Sequence, residues 1–162
     1  MAIRQLTHFD DSIFRKTSKP VVKFDRRLWD LLDDMLDTLE KVGGYGCAAV
    51  HVGVLRRVVV INDKCSVIEL INPVITNVSP ETERVFEGSI APGAPWGYVE
   101  RPCEVTVSAV NRNGEPVTVT GEGFLAAALS HEIDHLDGIL FTDNAVEVIT
   151  DHEDVKRILR KI

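Results

Sequence analysis

Long apolar runs are missing from this sequence. No stretch approaches the roughly 20 apolar residues that a membrane helix needs, and the N-terminus has no signal-peptide apolar core. No membrane partner and no secretory leader are therefore expected. Cysteine is scarce as well. Cys47, Cys65 and Cys103 form no regular framework and leave an odd one over, which points to a cytoplasmic protein with reduced thiols. Basic residues are outnumbered, 18 against 25 acidic, and the net charge of -7 argues against nucleic acid as a partner. The one basic cluster, Lys156-Arg157 with Arg160-Lys161, closes the chain and suits the end of a helix dipole. Internal repeats and low-complexity segments are absent too. What remains is an ordinary globular composition, expected to fold as one domain over residues 1–162.

The stretch Ser130-His131-Glu132-Ile133-Asp134-His135 carries the strongest chemical signal. Four residues apart on a helix, His131 and His135 share a face and can aim both imidazoles at one point, a pair suited to a first-row transition metal. Glu132 lies about 100° around the helix and can reach a water held there and take its proton. A helix is supplied by Phe124, Leu125, Ala128, Leu129, Ile133 and Leu136 at helical spacing, with Gly138 placed to end it. The alternative is a polar helix stripe without metal. The apolar flanks weigh against it, because they turn the histidines inward, where an unpartnered pair is costly. Phe141 stands where a third histidine of the extended metzincin pattern falls, so a third ligand has to come from elsewhere.

Elsewhere the pattern is that of an α+β protein. Residues 1 to 24 read as an irregular arm broken at Pro20. An amphipathic helix follows, with Asp25 as its N-cap and Gly43-Gly44 as its stop. Leu28, Leu31, Leu32, Met35, Leu36, Leu39 and Val42 trace its apolar face, and its acidic run reads as a solvated face. Gly44 to Gly53 is dense in glycine and alanine, as where backbones approach closely or a ligand needs room. Strands are expected over residues 58–62 and 67–75, the second interrupted at Asn72-Pro73, and as a hairpin of 105–110 with 117–120 about Asn113-Gly114. Residues 91–97 read as a Pro- and Gly-rich loop. From about Gly121 the histidine helix begins, and a short amphipathic helix capped by Asp151 ends the chain.

Three separated segments resemble the motifs of peptide deformylases. Gly44-Tyr45-Gly46-Cys47-Ala48-Ala49-Val50-His51 resembles their G-x-G-x-A-A-x-Q, and Glu87-Gly88-Ser89-Ile90-Ala91 resembles their E-G-C-L-S. His131-Glu132-Ile133-Asp134-His135-Leu136-Asp137-Gly138 matches their H-E-x-D-H-L-x-G, and Arg101-Pro102 is similar to a stretch after the second motif. The resemblance implies mostly antiparallel sheets around a central H-E-x-x-H helix, with an N-terminal amphipathic helix and a short C-terminal one. It implies one divalent transition metal, Fe2+ or Zn2+ with Ni2+ or Co2+ as alternatives. The implied activity is removal of the formyl group from N-formylmethionyl peptides or a related small N-acyl substrate. His131 and His135 would then be ligands, with Ser89 at the third ligand position. Glu132 would be the acid and base, and the Ile90 amide an oxyanion donor. Gly44, Gly46, Gly88 and Arg101 would line the substrate groove.

Two departures fall on the chemistry itself. Ser89 stands where the family has its cysteine ligand, and a neutral hydroxyl is a poor ligand for iron or zinc. His51 replaces the glutamine that helps to polarise the formyl oxygen. Two outcomes are open for His51: it completes a three-histidine site, or it makes an ordinary hydrogen bond. Cys47 reads as a small buried hydrophobe. Two functions are open too: a metal-dependent amide hydrolase of weak or altered activity, or an impaired homologue that binds a peptide or other ligand.

Overall fold

The computed structural model describes residues 2–162. Helix α1 (Arg26–Val42) forms where the sequence predicts it. The Asp25 carboxylate accepts from the amides of Arg27 and Leu28, and Gly43 ends the helix in the left-handed region at φ 69°. Leu28, Leu31, Leu32, Met35 and Leu39 are buried on its inner side, against Val52, Val58, Val60 and Ile71. The acidic run is not simply a solvated face. Asp34 is buried, accepting from the amide of Ala2 at 2.6 Å and from Arg4 Nε at 2.8 Å. Asp33 accepts from Arg112 Nη2 at 2.8 Å. The N-terminal arm thus holds Asp34 through Arg4 and the Ala2 amide, while Arg112, from the turn after Val110, holds Asp33.

Seven strands follow: β1 (Gly46–Ala48), β2 (Val58–Asp63), β3 (Ser66–Val78), β4 (Thr82–Glu87), β5 (Trp96–Pro102), β6 (Glu104–Val110) and β7 (Pro116–Glu122). Helix α2 (Phe124–Leu136), the short α3 (Phe141–Asn144), β8 (Ala145–Ile149) and α4 (His152–Leu159) complete the chain. One sheet has the order β1-β2-β3-β6-β7 and the other β4-β5-β8, with antiparallel pairing throughout. Helix α2 touches both sheets. It is buried on nearly every side: Ala126, Leu129, Ile133 and Leu136 enter the main core with Phe14, Val59, Ile61, Leu70 and Val107. This is the expected α+β architecture around a central helix. No helix among the described residues is long and apolar enough to cross a membrane.

Several local expectations change. Strand β3 does not stop at Asn72-Pro73 but runs to Val78, with register shifts on either side of Val74 and Ile75. Asn72 takes a positive φ of 52°, and its side chain exchanges hydrogen bonds with the Val21 backbone at 2.8 and 2.9 Å. The break is thus a bulge that ties the arm to the sheet. Within the arm, a 3-10 turn at Ser12–Arg15, capped by Asp11, buries Phe14 completely. The Pro- and Gly-rich loop gives way to β5 at Trp96. Helix α2 begins at Phe124, after Gly123, rather than at Gly121.

Asp34 offers a test of how the arm is held. Burial pushes its carboxyl up, but Arg4 and the Ala2 amide outweigh that and hold it below its ordinary value. The stabilisation is therefore present above the unfolded carboxylate range, about pH 4, and is lost as pH falls through the folded value. Asp34→Asn is expected to cost about 1–3 kcal/mol near pH 7 in urea unfolding. The difference from the parent should shrink when the titration is repeated below about pH 3. A constant difference across that range would remove the carboxylate from the account.

Candidate active site

Helix α2 sets out the centre. Its turn brings His131 Nε2 and His135 Nε2 to 3.2 Å, with the rings 4.9 Å apart and steeply inclined. The other nitrogen of His131 is held from outside the helix. Nδ1 donates to Glu87 Oε1 at 2.7 Å from the end of β4, which leaves Nε2 free to act as the donor atom. Arg101, on the neighbouring β5, forks onto the same carboxylate at 2.7 and 2.9 Å, and its third nitrogen donates to Asp134 at 2.9 Å. Burial pushes the Glu87 carboxyl up, but the Arg101 and His131 hydrogen bonds prevail and hold it below its ordinary value. Burial lowers the His131 pKa, while the bond to Glu87 and the nearby charges of Glu132 and Glu87 together outweigh it and leave the group raised.

His51 lies in a 3-10 turn at Ala49–Val52, just after β1, and is wholly buried. Its ring meets His135 edge-on with centroids 4.6 Å apart and rests against Phe14 at 5.4 Å. Burial and the nearby His131 bring its pKa down to about 3, so the ring is neutral. His51 Nε2 is 3.4 Å from Ser89 Oγ, and Nδ1 is 3.8 Å from Glu132 Oε2. Glu132 is 6% exposed, and burial pushes its carboxyl up to about 7. Among the described residues its Oε2 has no hydrogen-bond partner, and neither does His135 Nδ1. His51, Glu132 and His135 also offer donor atoms within 4.8 Å of one another, a grouping that overlaps the His131–His135 pair.

A cleft of about 480 Å³ opens onto this cluster, lined by Gly44, Gly46, Gly88, Ser89, Ile90, His131 and Glu132 among others. Two of the glycines are there for space. A Cβ on Gly46 would stand 2.8 Å from Glu132 Cγ, and one on Gly88 would stand 2.6 Å from the Trp96 ring. Phe86 and Trp96 stack beside it, giving an apolar wall.

Nine of the ten candidate residues meet around this cleft: Gly44, Gly46, His51, Gly88, Ser89, Ile90, His131, Glu132 and His135. Arg101 is the exception. Its guanidinium is buried and turned inward to Glu87 and Asp134, so it does not line the groove, and its influence reaches the cleft through His131. Glu87 was not singled out from the sequence as the partner of His131. The signal was present, since a buried histidine aimed by one nitrogen needs something to hold the other. Cys47 is fully buried and its thiol is pushed well up by burial and by Glu132, as a small hydrophobe would be.

Fold and site together describe an H-E-x-x-H protein of hydrolase type. Residues 3–150 match the family model described as Polypeptide deformylase. "Peptide deformylase 2" of Clostridium acetobutylicum is 49% identical over 150 residues, spanning 92% of this chain and 99% of that protein. The crystal structure of the Thermotoga maritima peptide deformylase superposes with a TM-score of 0.87 at 33% identity, over 91% of this chain and 100% of that one. A class I type b peptide deformylase from Acinetobacter baumannii, with Met-Ala-Ser bound, gives a TM-score of 0.82 at 28% identity, over 88% and 98% of the two chains. The chain belongs to the peptide deformylase family.

The buried network has a measurable consequence. Glu87→Gln removes the charge between Arg101 and His131, and one-sided loss of a buried ion pair typically costs about 3–5 kcal/mol. Asp134 still accepts from Arg101, which places the expected loss at the lower end. Chemical denaturation checks it, and an unchanged midpoint would mean that this network does not hold the centre.

Proposed function

We propose that the chain is a deformylase-type amide hydrolase acting in the cytoplasm. Its substrate is the formyl group of N-formylmethionyl peptides or a related small N-acyl amide. One divalent transition metal serves it, Fe2+ or Zn2+, with Ni2+ or Co2+ as substitutes. The observation that carries this reading is the convergence of His131 and His135 beside Glu132 on an apolar cleft. Two metal–nitrogen bonds of about 2.0–2.1 Å at a tetrahedral angle separate their nitrogens by about 3.3–3.4 Å, and the pair stands at 3.2 Å. The residues present therefore fit the ion. His131, oriented by Glu87, and His135 would hold it, with Ser89 as a weak neutral third donor. When bound, the metal supplies Lewis acidity towards the substrate carbonyl and water.

The chain's own groups do the rest. Glu132 takes a proton from water and delivers one to the leaving nitrogen, a double task that its pKa near neutrality suits. The Ile90 amide, from a residue that lines the cleft, would donate to the oxygen on which negative charge develops. Phe86 and Trp96 form the wall for an apolar side chain such as methionine's. Met-Ala-Ser in the Acinetobacter relative is what remains of such a peptide after deformylation, and it supports a peptide N-terminus as the ligand of this cleft. The comparisons lend no support to the reading as a mere binding protein. Ser89 in place of a thiolate supports weaker metal retention and slower turnover than in a cysteine-bearing relative.

Turnover of formyl-Met-Ala-Ser by metal-loaded protein tests this reading. Glu132→Gln is expected to lower it about 10²–10⁴-fold with an unchanged circular dichroism spectrum. Equal turnover in that variant would move the chemistry elsewhere. Ser89→Cys should raise the metal retained after dialysis, measured by mass spectrometry of the elements, because sulfur restores an anionic ligand.

A further inference from the structure

A second hollow of about 480 Å³ opens at the other end of α1 from the catalytic cleft. Val42 to Gly44, where the helix stops, border the catalytic cleft, whereas Asp25, Arg27, Leu28 and Leu31, where it starts, border this one. A helix of 17 residues spans about 25 Å, so the two are separate sites.

The lining inverts the charge of the chain. Acids outnumber bases in the sequence, 25 to 18, yet Arg4, Lys23, Arg27 and Arg56 border the hollow, with Asp25 as the one acid among the described residues. Asp25 is already engaged, because it caps α1 and accepts from the amides of Arg27 and Leu28 at 3.1 and 3.3 Å. Among the described residues, the side chains of Lys23, Arg27 and Arg56 have no hydrogen-bond or ion-pair partner. Arg4 is aimed by Asp34, which takes Nε and Nη2 at 2.8 Å each. Between these cations the surface is apolar. Val21, Leu28 and Leu31 form its buried base, and Val22 stands 83% exposed beside them. From this pairing of an apolar base with unmatched cations we propose that the hollow binds a small amphiphilic carboxylate, an apolar chain that ends in one anionic head, as in a medium-chain fatty acid.

The walls are held by the protein's own bonds. Asn72 exchanges hydrogen bonds with the Val21 backbone at 2.8 and 2.9 Å. The Lys19 amide donates to the Leu55 carbonyl at 3.1 Å, and the Lys19 carbonyl accepts from the Arg57 amide at 2.9 Å. The arm that carries Val21 to Lys23 is thereby stitched to the turn that carries Val54 and Arg56. A pocket fixed in this way needs little ordering when a ligand enters, and its volume falls within the roughly 300–1,000 Å³ of small-molecule sites. Two features favour a carboxylate over a phosphate. Phosphate sites at helix starts use free amides, and Asp25 holds those of Arg27 and Leu28. Its charge also opposes a dianion more than a monoanion, while a single guanidinium fork matches one carboxylate. The apolar tail would cover Val22 and the base of the hollow, removing that surface from water.

The proposal stands apart from catalysis at the other cleft. Decanoate, titrated below its micelle concentration into the full chain and followed by methyl NMR, tests it. The signals of Val21, Val22, Leu28, Leu31 and Val54 should shift together and saturate. Decanol should bind about 10-fold or more weakly, the usual size of a hydrogen bond to a charged group, and decylammonium should leave these signals unmoved. Arg27→Glu and Arg56→Glu should each weaken decanoate about 10-fold with an unchanged circular dichroism spectrum. Lys41→Glu, the same change of net charge at the far end of α1, should not weaken it. No saturable shift, or shifts confined to Val42 and Ile90 beside the catalytic cleft, would overturn the site. Equal affinity for decanol, or an equal loss in Lys41→Glu, would overturn recognition by these cations. Tighter binding of decyl phosphate than of decanoate would overturn the carboxylate head.

Discussion

A buried carboxylate ties the centre to the frame. Glu87 ends β4, accepts a forked pair of bonds from Arg101 on β5, and holds His131 on α2 by Nδ1. Two neighbouring strands of the smaller sheet and helix α2 are thereby locked at one point, and the charge of the acid is matched where water is excluded. Burying such a group alone would be costly, but the bidentate cation and the imidazole satisfy both oxygens. The histidine gains a fixed tautomer and a fixed aim. Any chemistry at the cleft depends on that aim, since His135 follows on the same helix face and Glu132 on the next.

Beside this held centre lie the two positions at which the motif resemblance breaks. Ser89 puts a neutral hydroxyl beside the histidine pair where the resemblance implies a thiolate. His51 places a further neutral ring edge-on to His135, its Nδ1 accepting from the Ala48 amide and its Nε2 turned to Ser89 Oγ at 3.4 Å. The two side chains meet each other, and neither carries a charge near pH 7.

Much of this was legible in the sequence. The spacing of His131 and His135, the Asp25 and Gly43 boundaries of α1, and the Asp151 cap of α4 are local signals, and the structure follows them. The family resemblance carried the arrangement of the sheets, which periodicity alone does not specify. What escaped notice depends on contacts between distant segments. Strand β8 is five residues long and follows the turn of α3 directly, so its alternation was too short to stand out. The bulge at Asn72 looked like an end because Pro73 follows it, and only the bond to Val21 shows why the strand continues. Arg101 looked like a groove residue, and its inward turn rests on Glu87, 14 positions away. Whether His51 completes a three-histidine site or makes an ordinary hydrogen bond stayed open in the sequence, because its neighbours in space, Ser89 and Glu132, are 38 and 81 residues distant in the chain.

Glu132 shows how burial tunes the centre. It lines the cleft, one of its oxygens lies 3.8 Å from His51 Nδ1, and Gly46 leaves its side chain room to stand there. Burial pushes its carboxyl up to about 7, so the group can give or take a proton near neutrality. The Ala48 amide donates to His51 Nδ1, which leaves Nε2 to face Ser89. The two residues in which the motifs differ therefore meet each other beside this carboxylate, and the carboxylate itself stays directed to the cleft.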